Sequence, residues 1–103
     1  MGKRGERGIS MMSQIPTDMK KVEKTDINNE ILRVGMIAEL DAINLYEQLA
    51  AMTDSENIRK VLLDIAKEEK THAGEFQALL LKTDKEQVVE LEKGKKEVEK
   101  TMK

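Results

Sequence analysis

The sequence predicts an all-α protein: an antiparallel helical hairpin that dimerises into a four-helix bundle and carries a peripheral third helix. Three observations point there. Leu, Ile, Ala, Glu, Lys and Met abound, while one Tyr, one Phe and no Trp leave the chain without the aromatic and β-branched runs that strands favour. Apolar residues recur at helical spacing through two long segments joined by only a few polar residues, which turns the second helix back antiparallel to the first. A chain of 103 residues buries only a limited core, and a second copy supplies what one chain lacks.

Residues 1–24 are glycine-rich and polar, with Gly2, Gly5, Gly8 and Pro16 opposing any sustained helix, so they are expected to form a disordered arm. Gly2 heads no myristoylation motif, because the sixth residue is Glu6. The hairpin is expected over 25–82. Thr25 or Asp26 can cap a first helix that runs to about Met52. At 100° per residue its apolar arc gathers Ile31, Leu32, Gly35, Met36, Ala38, Ala42, Ile43, Leu45, Tyr46, Leu49 and Ala50. Glu30, Arg33, Asp41, Asn44, Glu47 and Gln48 lie opposite, on the expected solvated side, where Ile37 and Leu40 are apolar exceptions that hint at a further subunit contact.

Thr53-Asp54-Ser55-Glu56 fits a capping box and should open the second helix, from about Asp54 to Leu81. Its arc holds Ile58, Val61, Leu62, Ile65, Ala66, Ala73, Phe76, Leu79 and Leu80. Thr83-Asp84-Lys85-Glu86 repeats the box and opens a C-terminal helix over 83–103, whose stripe of Val88, Leu91, Val98 and Met102 is thin and interrupted by Gly94. From Asp84 onward six acids balance six lysines, as suits an exposed helix laced with weak ion pairs.

Composition narrows the function. The net charge of −2 arises from 20 acids and 18 bases mixed along the chain, so no basic stripe marks a nucleic-acid partner. The absence of cysteine rules out a disulfide framework and thiolate-ligated zinc or iron, leaving oxygen and nitrogen ligands for any metal. No apolar run approaches a membrane span of about 20 residues and no signal-peptide core precedes the hairpin, so the expected location is the cytoplasm. A charged fraction of 37% leans toward a thermophilic source.

Three residues break the apolar arcs. Glu39 sits near the centre of the first, and Glu69 and His72 lie within the second; a carboxylate so placed costs several kcal/mol to bury without compensation. Glu69-Lys70-Thr71-His72 is Glu-x-x-His, which sets both side chains on one face a turn apart. With a glutamate from a neighbouring helix, this is the ligand pattern of di-iron carboxylate bundles. Glu-x-x-His alone also occurs on ordinary solvated helices; here each glutamate is the lone acid deep in its arc and His72 is the one histidine. One hairpin supplies half of the ligand set such bundles use, and a two-fold homodimer would supply the other half. Either glutamate could bridge the metals. Oxygen-rich ligation suits iron or manganese, and a mixed-metal enzyme fits equally. Tyr46 lies two turns beyond Glu39, where its hydroxyl could reach a ligand carboxylate of the dimer mate; an ordinary interface tyrosine accounts for it as well. A rival reading needs no metal: Glu39 and Glu69 would be buried polar groups that fix the register of a helical oligomerisation module.

The stretch Ala38 to Phe76 resembles the encapsulated ferritins. The resemblance rests on Glu39-Leu40-Asp41-Ala42 with Tyr46 seven residues after Glu39, on Glu68-Glu69-Lys70-Thr71-His72-Ala73, and on the 30-residue interval between the two glutamates. It implies half of a ferritin-like bundle, iron ligands at Glu39, Glu69 and His72 with Tyr46 beside them, and ferroxidase activity at a di-iron (Fe) centre on the dimer interface. It further implies a ring of dimers, a decamer, and iron storage inside an encapsulin nanocompartment whose shell protein is a partner or is fused. Two departures stand out: Leu45 replaces a tryptophan before the tyrosine, and Ala38 an acid before Glu39, although Asp41 keeps an acid that could lead iron inward. The end Lys100-Thr101-Met102-Lys103 has none of the small and aliphatic residues of a shell-docking peptide, so docking is expected by another route or by fusion.

Overall fold

The computed structural model describes residues 26–103, so the expected arm over 1–24 lies outside the described residues. Three helices follow one another: α1 (Ile27–Met52), α2 (Glu56–Thr83) and α3 (Lys85–Thr101). No strand occurs among the described residues, and the all-α expectation holds.

The helix boundaries depart from expectation at the caps. Asp26 precedes α1 but makes no side-chain cap bond. The start of α1 is tied down instead by ionic and polar contacts: Arg33 pairs with Glu30 at 3.3 Å and with Asp84 at 3.4 Å, and the Thr83 hydroxyl donates to Asn29 Oδ1 at 2.5 Å. The end of α1 at Met52 is as expected. Thr53, however, does not cap α2. Its backbone is extended, its N–H still bonds the Leu49 carbonyl at 3.3 Å, and its hydroxyl accepts from the Ser55 N–H at 3.1 Å. Ser55 then takes the capping role, accepting from the Ile58 N–H at 3.3 Å, so α2 begins two residues later than the box implied. Likewise Thr83 closes α2, and Asp84 caps α3 by accepting from the Gln87 N–H at 3.0 Å.

Arg59 locks the turn. The last turn of α1 has no basic residue of its own, and its unpaired carbonyls favour a cation. Arg59 reaches back from the first turn of α2, donating to the Ala50 carbonyl at 3.1 Å and to the Thr53 carbonyl, while pairing with Glu56 at 2.6 Å.

α1 and α2 pack along a narrow seam in which Ile43, Ala50, Ala66 and Leu80 are buried. The small Ala50 and Ala66, each 2% exposed, let the helices approach closely. Most of the remaining arc residues are partly covered, but along one flank Ile31, Ile58, Val61 and Leu79 are each about half exposed. α3 buries none of its residues, and its stripe of Val88, Leu91, Val98 and Met102 stays exposed, which makes it peripheral as expected. Where α3 leaves the hairpin, Met36, Ile37, Leu40, Leu80 and Leu91 line an apolar groove of about 270 Å³, and Ile37 and Leu40 remain exposed along it. Asp41 corrects the helical wheel: expected on the solvated side, it is 6% exposed and has a polar partner, as a carboxylate withdrawn from water requires.

Candidate metal centre

The seam brings the three arc-breaking residues together. Glu39 comes from the middle of α1, and Glu69 and His72 from one face of α2. His72 Nδ1 lies 2.9 Å from Glu69 Oε1 and 3.6 Å from Glu39 Oε1. One ligand atom from each residue falls within 4.8 Å of the others, and this is the one such trio of possible metal ligands among the described residues. The glutamate side chains are about a fifth exposed, at 20% and 19%, whereas the His72 side chain is 48% exposed. The cluster is thus anchored at the seam and open on the His72 side.

Its electrostatics follow from crowding like charges. The Glu69 carboxyl, in hydrogen-bond contact with Glu39, holds Glu39 above the ordinary carboxylate range, and burial adds to this while His72 opposes it. The same contact lowers Glu69, with further help from His72. Hydrogen bonding to Glu69 raises His72 above its ordinary 6.5, and the charges of Glu39 and Glu75 act in the same direction. Two adjacent carboxylates and an imidazole titrate as a unit that retains a proton more readily than isolated groups would. A cation entering the cluster would displace that proton and take over its role.

Tyr46 is half-buried on α1, seven residues beyond Glu39. Glu68, Lys70, Thr71 and Glu75 are exposed around the site; Lys70 crosses to Glu47 at 3.4 Å. The sequence reading missed Arg59, although a cation one turn into a helix that follows a tight turn is the signal that would have found it. Three ligands of this kind can hold one cation and leave coordination positions free on the open side. No helix among the described residues is long and apolar enough to cross a membrane.

Fold and site together define a helical-hairpin protein with a carboxylate–histidine cluster that could hold a metal. The rubrerythrin family model matches residues 30–103, and the crystal structure of the encapsulated ferritin domain from Pyrococcus furiosus superposes with a TM-score of 0.74 at 54% identity, covering 86% of this chain and 93% of that one. The chain belongs to the rubrerythrin family, among its encapsulated ferritins. A ferritin-like–encapsulin shell fusion protein of P. furiosus is 65% identical over 69 residues, which are 67% of this chain and 20% of the relative. The encapsulin nanocompartment cargo protein EncC of Myxococcus xanthus is 38% identical over 68 residues, 66% of this chain and 52% of the relative. The chain thus spans about a fifth and about half of these two curated relatives.

Proposed function

We propose that this protein is a ferroxidase, oxidising ferrous to ferric iron at a di-iron centre completed by a second copy of the chain, and that it feeds iron storage inside an encapsulin compartment in the cytoplasm. The observation that carries this reading is the gathering of Glu39, Glu69 and His72 within 4.8 Å on the boundary between a packed seam and an uncovered apolar flank. The donor set fits iron: two carboxylates and one imidazole per chain, without thiolates, are hard and borderline ligands. Bound ferrous iron supplies the electrons, each ion giving one to a dissolved oxidant such as dioxygen and leaving as ferric iron.

The residues of the chain do the rest. Glu39 and Glu69 offset the cationic charge, and a two-fold mate would contribute the same pair, giving the four carboxylates and two imidazoles of di-iron bundles. His72 gives up its proton and offers a neutral nitrogen. Tyr46 is assigned a place beside the centre, against a carboxylate of the mate. The fold supports a partnership between dimers in a ring, with Ile37, Leu40 and the α3 stripe as the available apolar surface. The shell partner is supported by the relatives, one fused to a shell and one a cargo protein.

One observation favours a second reading. The trio already satisfies itself, His72 bonding Glu69 and approaching Glu39, as it would in a metal-free oligomerisation module. Metal content after expression in iron-rich medium, together with aerobic ferrous oxidation by wild type and Glu69→Ala, separates the two. Bound iron and oxidation lost in Glu69→Ala support the ferroxidase; an iron-free protein, or oxidation undiminished in Glu69→Ala, refutes it. With a large excess of iron the isolated chain is expected to oxidise and precipitate it, and to hold a soluble mineral when its shell partner is present.

A further inference from the structure

Gly35 precedes Glu39 by four residues on α1, and Phe76 follows His72 by four on α2, so in the antiparallel pair both stand one turn from the trio at the same end. They are in intimate contact. A methyl group placed on Gly35 would lie 2.9 Å from Cε1 and Cζ of Phe76 and 3.0 Å from Cδ1, closer than carbon atoms tolerate, so the ring rests directly on the α1 backbone. The other described glycines differ: Gly74 and Gly94 would meet nothing within 4 Å. A glycine inside a helix is destabilising relative to alanine, and among the described glycines only at Gly35 is the missing side chain replaced by a partner. That partner is the one phenylalanine of the chain, half-buried near a cluster that is open on its His72 side.

We propose that the Phe76 ring seated on Gly35 is a positioning contact for the metal centre, fixing the separation of α1 and α2 one turn from the ligands. The inference rests on the metal reading above. Glu39 is the one ligand supplied by α1, and it reaches His72 across 3.6 Å. A ligand set tolerates displacements of only about 0.5 Å. A methyl group under the ring forces either the ring out of its seat or the helices apart, and both loosen the end of the site from which Glu39 reaches across. Neither Gly35 nor Phe76 offers a ligand atom, so the contact acts through Glu39 and His72.

The test compares wild type, Gly35→Ala, Phe76→Leu and the double variant, by anaerobic titration with ferrous iron and by thermal unfolding of the metal-free proteins. Gly35→Ala is expected to bind iron about tenfold more weakly, as loss of an outer-shell contact does, while its metal-free stability falls only modestly, because the better helix propensity of alanine offsets part of the overpacking. Phe76→Leu in that background makes room for the methyl and is expected to recover affinity to within about threefold of wild type, the non-additivity of residues in contact. Iron affinity in Gly35→Ala equal to wild type, or a folded double variant no tighter than Gly35→Ala, overturns the proposal. Should Gly35→Ala fail to fold, Phe76→Leu alone decides, since it keeps Gly35: weakened binding supports the contact and unchanged binding overturns it. A wild type that binds no iron refutes the metal reading itself, a result distinct from all of these.

Discussion

The two flanks of the apolar arcs are both aliphatic and meet opposite fates. On the seam flank Ile43, Ala50, Ala66 and Leu80 are between 2% and 8% exposed; on the other, Ile31, Ile58, Val61 and Leu79 are between 50% and 59% exposed. The difference is that the seam has a partner within the chain. Fully burying such an aliphatic side chain contributes about 1.5–3 kcal/mol, so each half-exposed residue on the bare flank holds roughly 1 kcal/mol in reserve for association. The ligand trio straddles the boundary, with the glutamates near the seam and His72 toward the flank. The fold therefore anchors the two glutamates by its own packing and leaves the His72 side open, where the proposed second copy would close the site.

This contrast can be broken most sharply at the ligands. Glu39→Ala or Glu69→Ala is expected to abolish rapid ferrous oxidation; Glu39→Ala, which removes the carboxylate held above its ordinary range, should leave the metal-free hairpin as stable or more so, whereas Glu69→Ala also gives up the contact with His72 and should cost a little stability. Stopped-flow oxidation and thermal melts report both, with the exposed Glu68→Ala as a control that changes little. The seam comes next. Leu80→Ala should cost about 2–5 kcal/mol in denaturant unfolding, whereas Val61→Ser on the bare flank should leave monomer stability within about 0.5 kcal/mol and weaken self-association instead. Similar unfolding costs for both would erase the distinction between the flanks.

A subtler effect is the response to pH. His72 is raised above 6.5, so its contribution to metal-free stability is complete below that value and fades as pH rises through the folded one. Glu69 is lowered from 4.5, and its contribution is present above 4.5 and fades as pH falls through its folded value. Metal binding runs the other way in the upper window, because His72 must lose its proton before it ligates. Just above pH 6.5 metal-free stability should fall with pH while metal affinity rises and protons are released on binding. Calorimetry in buffers of different ionisation enthalpy detects that release, and its absence would contradict the assigned role of His72. The smallest effect expected is at the exposed Lys70–Glu47 pair, where Lys70→Ala should cost no more than about 1 kcal/mol.

Much of this was legible in the sequence, and the parts that were not share a cause. Helices and ligands show themselves through periodicity, since Glu39, Glu69 and His72 stand out only against regular apolar arcs. The caps did not, because Thr53 and Ser55, and again Thr83 and Asp84, offer competing oxygens a residue or two apart. Tertiary contacts decide between them: Arg59 engages the Thr53 carbonyl, and Arg33 reaches Asp84. A wheel of one helix likewise cannot register that Asp41 is buried. The seating of Phe76 on Gly35 depends on how the two helices are aligned, which no single-helix pattern encodes.

The central claim, that one chain holds half a site and a second copy completes it, is tested most directly by sedimentation equilibrium with and without ferrous iron under anaerobic conditions, over concentrations that span dissociation. Metal that binds only the assembled form, at a hundredfold excess over its Kd, should strengthen association by about 2.7 kcal/mol per site. The account predicts a dimer population that rises with iron and a bound-metal content that rises with it in step. Iron bound tightly by a species that remains monomeric, or an association constant indifferent to iron, would contradict it.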